Sequence, residues 1–416
     1  MGEYMGARKA AGSGPGERQA DAWAPGEVPA PGRNIGRYRL CFELGTGGMG
    51  TVFLAATDAP GRERRFVALK CLRPENACQP EFAAMFLDEA TIAARVQHPH
   101  VCSVVDVGET DGVVYLVMEY LSGESLSAVR SRLFDQLTAW SPVVHAALVA
   151  RIIADASEGL HAAHELRDAH GELAEVVHRD VAPDNIIVTY GGCVKLLDFG
   201  IAKRRGRTHE TTPGMIKGKY SYIAPEVLDG QPADRRSDVW GLGVVMWELL
   251  AGERLFDAPS DVEAIRAVGR RPIVAPSRLR AGLPPGLDRI VLKALDRDPA
   301  RRHATARDLA RDLNRFLANR RCAFGLAELE EAMQRLFPNG REAKQQLLET
   351  AAEVDAQNAA IIPLDSCDLE IVDATQSIRP DLPRVRTTPA PPHQPAAAAR
   401  LSVSWDQVAV GISRGR

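Results

Sequence analysis

Asp180 and Asn185 stand five residues apart in His178-Arg179-Asp180-Val181-Ala182-Pro183-Asp184-Asn185, and a second acid follows in Asp198-Phe199-Gly200. A carboxylate can accept or orient the proton of a hydroxyl nucleophile. A neutral amide oxygen and another carboxylate are hard ligands suited to a divalent cation such as Mg²⁺ or Mn²⁺. Together they form a base and metal set for phosphoryl transfer, with Asp180 as the base and Asn185 and Asp198 as the metal ligands. Two strand-like runs, Ile186–Val188 and Val194–Leu197, join the acids and would hold them at a fixed separation. An exposed hairpin carrying unrelated acids is the plain alternative.

The phosphates need their own holders. Gly45-Thr46-Gly47-Gly48-Met49-Gly50 lies between two β-rich runs, where glycines let backbone amides approach phosphate oxygens without side chains in the way. The same spacing serves dinucleotide folds, but those need a helix directly after the glycines, and Val52-Phe53-Leu54 is strand-like. Lys70 ends Val67-Ala68-Leu69-Lys70, and Glu89 lies on the inward side of the helical run that follows. A lysine that reaches the α- and β-phosphates needs a carboxylate to hold it, and Glu89 is placed to do so. Ala224-Pro225-Glu226 completes the series. Each motif alone is weak; their order is what carries the signal.

Those motifs require particular elements around them. Residues 1–33 are rich in Gly, Ala and Pro and read as a disordered segment. Arg37–Leu44, Thr51–Thr57 and Arg64–Leu72 read as strands, with a Pro60-Gly61 turn before the third. Glu81–Val96 has helical spacing and stops at His98-Pro99. Val101–Val107 and Val113–Tyr120 read as a hairpin about Glu109-Thr110-Asp111-Gly112. Beyond Gly123 the chain turns helical. Ser141-Pro142 opens a long amphipathic segment to about Leu166, and Trp240–Leu250, apolar all round, belongs at the centre of its lobe. A helical extension is expected over 323–354, apolar at Leu326, Leu329, Met333, Leu336 and Phe337, and a disordered Pro/Ala-rich tail over 355–416. A β-rich lobe followed by a helical one places every motif at the cleft between them.

Composition narrows the partners. A net charge of -3 gives no reason to expect nucleic acid or an anionic membrane. The longest strongly apolar run, Val239–Gly252, contains Glu248 and is too short to span a bilayer. No signal-peptide pattern opens the chain, and seven scattered cysteines without CxxC spacing suggest reduced thiols. A soluble cytoplasmic protein is expected.

With these motifs in place, residues 37–320 resemble the eukaryotic-like (Hanks-type) serine/threonine protein kinases of bacteria. The resemblance implies an α+β, bilobal protein-kinase-like fold, with an N-lobe over 37–120 and a C-lobe over 121–320. It implies ATP and Mg²⁺ (or Mn²⁺) as cofactors and proteins bearing Ser or Thr as substrates. Val52, Ala68 and Ile187 would sandwich adenine, Met118 would be the gatekeeper, and Glu119, Tyr120 and Leu121 the hinge that meets the base. Glu226 would pair with Arg302, and Asp238 would brace the catalytic loop. Arg179 beside the catalytic acid implies an activation segment that needs ordering, with Lys203 in the same pocket. Thr208, Thr211 and Thr212 lie in that segment, and Thr211 or Thr212 is the expected autophosphorylation site, with a possible dimer for the reaction in trans.

Two departures from that pattern stand out. Ala182 occupies the slot where a lysine usually touches the γ-phosphate, and Gly218-Lys219 replaces the usual Gly-Thr near the end of the activation segment. A lysine lost and a lysine gained suggest that Lys219 supplies the missing cation from the other side of the site. Tyrosine kinases also lack the first lysine but carry an arginine in that loop, and Val181-Ala182-Pro183-Asp184 has none. Leu166–Glu175 is longer than the usual link before the catalytic loop, and a subgroup of cytosolic bacterial kinases pairs such an insert with a later Gly-Lys. A pseudokinase-like nucleotide-binding scaffold is the alternative that Ala182 raises. A small-molecule phosphotransferase is a third reading, disfavoured by the peptide platform that Glu226 and Arg302 imply.

Overall fold

The computed structural model describes residues 29–47, 50–57, 65–73, 76, 80–198, 219–319 and 324–359. Strands β1 (Asn34–Ile35), β2 (Tyr38–Thr46), β3 (Gly50–Thr57), β4 (Arg65–Leu72), β5 (Val104–Thr110) and β6 (Val113–Glu119) form one antiparallel sheet in the order β1-β2-β3-β4-β6-β5. Side chains alternate across a strand, so the sheet has two faces with different work. Tyr38, Leu40, Phe53, Ala55, Val67, Leu69 and Val117 fill one apolar cluster. Leu72, Leu116 and Met118 turn the other way, onto Phe86 and Ala90 of helix α1 (Pro80–Arg95).

A second, three-stranded sheet of β7 (Gly123–Ser125), β8 (Ile186–Thr189) and β9 (Val194–Leu196) sits at the base of the cleft. Helices α2 (Leu126–Asp135), α3 (Pro142–His164), α4 (Pro225–Leu228), α5 (Arg235–Ala251), α6 (Asp261–Arg270), α7 (Pro276–Leu279), α8 (Pro285–Ala294) and α9 (Ala306–Asn319) build the second lobe. The all-round apolar run forms α5, whose residues from Ser237 to Leu250 are all buried. Asp234 and Ser237 close its N-terminus with a reciprocal capping box, and Gly252 ends it in the left-handed region. Its buried carboxylate Glu248 is met by Arg130, by the Tyr222 hydroxyl at 2.9 Å and by the Leu255 amide at 3.3 Å. Buried polar groups need such partners.

Several elements differ from the sequence reading, each for a local reason. The strand expected to begin at Val101 begins at Val104, because Val101 and Cys102 are drawn off to Leu196: the Cys102 amide donates to the Leu196 carbonyl at 2.9 Å. Glu109 and Thr110 stay in the ladder, and Asp111-Gly112 alone makes the turn. Ser141 precedes α3 without a side-chain cap; Pro142 in the first turn sets the helix start. The expected helical extension is two helices, α10 (Leu326–Leu336) and α11 (Gly340–Ala359), broken at Phe337-Pro338-Asn339, and Leu326 is exposed. The Pro60-Gly61 turn lies outside the described residues. Among the described residues Cys41, Cys71, Cys102 and Cys193 are free thiols. No helix among them is long and apolar enough to cross a membrane.

Candidate active site

The segment carrying Asp180 leaves α3 and is pinned by one buried acid. Asp238, in the first turn of α5, accepts from the His178 amide through Oδ2 and from the Arg179 amide through Oδ1, both at 2.8 Å, and pairs with His164 Nε2 at 2.7 Å. Burial alone would raise this carboxyl, but His164, His178 and the Arg179 amide hold it below the ordinary aspartate range. The bracing role read for Asp238 has its contacts here; His164 was missed, since nothing in its local spacing marks a partner in α5. His178 Nε2 meets the Leu197 carbonyl at 2.9 Å, which ties the same loop to the residue before Asp198. Arg179 (φ 64°) and Asp198 (φ 39°) both hold the left-handed backbone region without being glycine. Such strain persists only where surrounding contacts over-determine it, as they do at Arg179.

Within this frame the predicted acids converge. Asn185 Nδ2 donates to the Asp180 carbonyl at 2.7 Å and to Asp180 Oδ2 at 3.1 Å. The amide nitrogen is thereby spent, and the Asn185 oxygen is the end left to a cation. Lys70 Nζ, on β4, lies 2.8 Å from Asp198 Oδ2. Lys70 is buried and its ammonium also lies over the Phe86 ring, 5.9 Å from the centroid. Glu89, the partner expected for Lys70, is in α1, but its side chain lies outside the described residues. Asp198 is a partner of Lys70, and sequence reading had not joined these two.

The glycine run forms the tip of the β2–β3 hairpin, with Gly45 opposite Val52, Thr46 opposite Thr51 and the Gly47 amide donating to the Gly50 carbonyl at 2.8 Å. A strand follows it and no helix, which removes the dinucleotide reading of the motif. Gly48 and Met49 lie outside the described residues. Val52 faces Lys70 across β3–β4, and Ala68 is two residues along the same face. Met118 is buried beside Phe86 and Cys102, with Ala68, Leu121 and Leu197 against the same cluster. Ile187 lies half-buried on β8. At Glu119 the amide donates to Ser103 at 3.0 Å, while the side chain takes Lys195 at 2.6 Å and the Ser103 amide at 2.7 Å. That cross-brace from β6 to β9 was also missed.

Ala182 is buried, and its carbonyl accepts from the Asn185 amide at 3.0 Å. Lys219 opens a short 3-10 turn, Lys219–Tyr222, but its side chain lies outside the described residues, as do Phe199, Gly200, Lys203, Thr208, Thr211, Thr212 and Gly218. Below the cleft, Arg302 grips Glu226 through its two terminal nitrogens, at 2.7 and 2.6 Å, with Ser237 Oγ donating to the same carboxylate at 3.0 Å. The pair is buried and bidentate, not a weak surface contact.

What assembles is a lysine and two acids around a cleft roofed by a glycine hairpin, a set able to hold a metal-bound nucleotide and orient a hydroxyl. The comparisons agree. The protein kinase domain family matches residues 38–318. The chain is 34% identical over 407 residues to the tyrosine-protein kinase MasK of Myxococcus xanthus, covering 91% of this chain and 62% of that protein. It is 38% identical over 285 residues to the serine/threonine-protein kinase PknB of Mycolicibacterium smegmatis, covering 67% of this chain and 43% of that one. The chain thus spans less than two thirds of the length of these relatives. A crystal structure of the Mycobacterium tuberculosis PknI kinase domain matches with a TM-score of 0.52 and 30% identity, over 70% of this chain and 100% of that one. With the family match running through both lobes and every element that positions the cleft, the chain belongs to the protein kinase domain family.

Proposed function

We propose that this chain transfers the γ-phosphate of ATP to Ser and Thr hydroxyls of proteins. The observation that carries the reading is the convergence of Lys70, the Asp180–Asn185 loop and Asp198 from three separate segments onto one cleft. Asp180 accepts or orients the hydroxyl proton, held in place by Asn185. The oxygens of Asn185 and Asp198 would hold a divalent cation, Mg²⁺ or Mn²⁺, whose charge would offset that of the phosphates. Lys70 supplies the fixed cation for the phosphates, with Glu89 as a second carboxylate on α1. The glycine hairpin Gly45–Gly50 covers the phosphates. Val52, Ala68 and Ile187 enclose the base, Met118 closes the back of the pocket, and the backbone of Glu119 and Leu121 meets the base edge.

Ser/Thr selectivity is supported by the naming of PknB and by the absence of an arginine from Val181-Ala182-Pro183-Asp184. A tyrosine reading has one observation in its favour, the naming of MasK, whose match covers 91% of this chain. Ala182 is the feature behind the scaffold alternative, but the four site residues are all present, which favours an active enzyme. We place the enzyme in the cytoplasm and its activation in trans, one copy phosphorylating Thr211 or Thr212 of another.

Incubation of the purified chain with Mg²⁺ and labelled ATP, with Asp180→Asn as control, tests the activity, its residue class and the phosphorylated threonine. Phosphoserine or phosphothreonine in the wild type alone, with label on Thr211 or Thr212, is expected. Phosphotyrosine as the sole product overturns the residue class, and no Asp180-dependent label overturns the activity.

A further inference from the structure

The two helices after the kinase domain have one foot in each lobe. Leu329, Ala332, Met333 and Leu336 of α10 belong to the core of the helical lobe. The chain then breaks at Pro338 and α11 crosses to the sheet. Ala351, with no exposed surface, is buried against Cys41 of β2 and Leu54 and Ala56 of β3, with Leu347, Leu348 and the hinge residue Tyr120 packed on the same cluster. Residues 340, 344, 347, 348 and 351 fall on one stripe of α11, the spacing of a helix with a single buried face.

That face lies on β2 and β3. Val52, Leu54 and Ala56 are every second residue of β3 and share one face, so α11 lies on the side of the sheet that bears Val52, Ala68 and Lys70. At the crossing, Lys344 Nζ is 3.7 Å from Glu124 on β7, and Glu124 also accepts from the Tyr190 hydroxyl at 2.5 Å. Arg341 reaches both the Tyr190 carbonyl and Glu330 of α10. Two glycines allow the close seating. A Cβ at Gly340 would collide with the Tyr190 hydroxyl, and one at Gly192 (φ 78°) with the Leu326 carbonyl. Both contacts are made with the β8–β9 hairpin, whose strands carry Ile187 and lead to Asp198.

We propose that α11 is a strap that holds the sheet lobe over the helical lobe and thereby tightens nucleotide binding. The inference rests on the kinase reading for the identity of the nucleotide. A hinge between lobes lets them move as bodies, and an element packed on both biases the equilibrium between arrangements. With the strap docked, Lys70 of the first lobe and Asp198 of the second are in contact at 2.8 Å, so the arrangement that α11 stabilises is one in which these two site residues meet. The comparisons fit an added device. The PknB match covers 67% of this chain, about what residues 38–318 occupy, whereas the 91% covered by MasK is too long to be confined to them.

The test uses the full chain with Ala351→Asp, which places a charge in the buried cluster, and separately Leu347→Ala/Leu348→Ala, which only removes apolar contact. Amide hydrogen exchange is followed without nucleotide in β2, β3 and residues 119–125, with α5 as internal reference, and the Kd of a fluorescent ATP analogue with Mg²⁺ is measured. Both variants are expected to exchange faster in the sheet and hinge with α5 unchanged, and to bind the analogue about fivefold more weakly. Should Ala351→Asp loosen α5 as well, the double alanine variant decides. Nucleotide binding by the wild type that neither variant weakens would overturn the strap, as would tighter binding. A wild type that binds no nucleotide, with exchange still altered in both variants, overturns the kinase reading and the affinity role but upholds the contact between lobes.

Discussion

Lys70 Nζ and Asp198 Oδ2 meet at 2.8 Å from positions 128 residues apart, one on the sheet lobe and one at the root of the activation segment. The two charges are unequal in their surroundings: the Lys70 side chain is 9% exposed and that of Asp198 is 32% exposed. Removing Lys70 therefore leaves a carboxylate that water can reach, so the fold should survive. Its loss should be felt in the transition state, where a fixed cation is worth most. Lys70→Met should lower kcat by about 10²–10³-fold while the far-ultraviolet circular dichroism and the thermal midpoint change little. Activity within tenfold of the wild type would remove Lys70 from the machinery.

Arg302 and Glu226 present the opposite case, since neither end of the pair is open to water. Arg302 also donates to the carbonyls of Asp296 at 2.6 Å and Arg236 at 3.2 Å, and its guanidinium lies 5.0 Å from the Trp240 ring centroid. Burial alone would raise the Glu226 carboxyl, yet Arg302 and Ser237 hold it below the usual glutamate range. Arg302→Ala strands that carboxylate and should destabilise the helical lobe by about 3–5 kcal/mol, read from urea unfolding followed by tryptophan fluorescence. A loss below about 1 kcal/mol, the level of a surface pair, would contradict the buried geometry.

Much of this was legible in the chain because each motif and its element are local. The strand periodicity around Lys70, the apolar run of α5 and the hairpin joining Asp180 to Asp198 are all written within a dozen residues. What escaped was pairing between distant elements, save where the family resemblance supplied it, as for Glu226 and Arg302. Nothing near His164 says that it faces Asp238, and nothing near Lys195 says that it holds Glu119. The helical extension shows the same limit from another side. Its apolar residues Leu329, Met333 and Leu336 were legible, but Pro338 breaks the helix, and the stripe of Leu347, Leu348 and Ala351 gains meaning only from the β3 face it covers. Local spacing says that a face is apolar; it does not say what will bury it.

Ala182 and Lys219 set a further prediction. Ala182 is buried in the loop between Asp180 and Asn185, so that loop position brings no charge to the site. A charge-assisted contact supplied by Lys219 is worth roughly 1.5–3 kcal/mol, or about ten- to a hundredfold in rate when it acts in the transition state. Lys219→Ala should lower kcat by that factor with the KM for ATP nearly unchanged, and Lys219→Arg should recover part of it. An unaltered kcat in Lys219→Ala would leave the site without this cation.

His145 gives the helical lobe a pH dependence of its own. Its Nε2 donates to the Leu249 carbonyl at 2.7 Å, while Nδ1 is buried without a hydrogen-bond partner. A proton on Nδ1 would be buried with nothing to receive it, and burial, with the Arg280 charge nearby, pushes the imidazole down to about 4. In the unfolded chain histidine titrates near about 6.5, so between these values the unfolded state binds a proton that the native state refuses. The His145 contribution to stability is therefore full above about pH 6.5 and falls as the pH drops toward about 4, by at most about 1.4 kcal/mol per pH unit. A urea series from about pH 7 to about pH 4.5 should show this slope in the wild type. His145→Gln, which keeps an N–H for Leu249 but cannot take up the proton, should make it shallower, whatever its stability at neutral pH. Equal slopes in the two proteins would mean that His145 titrates normally in the fold.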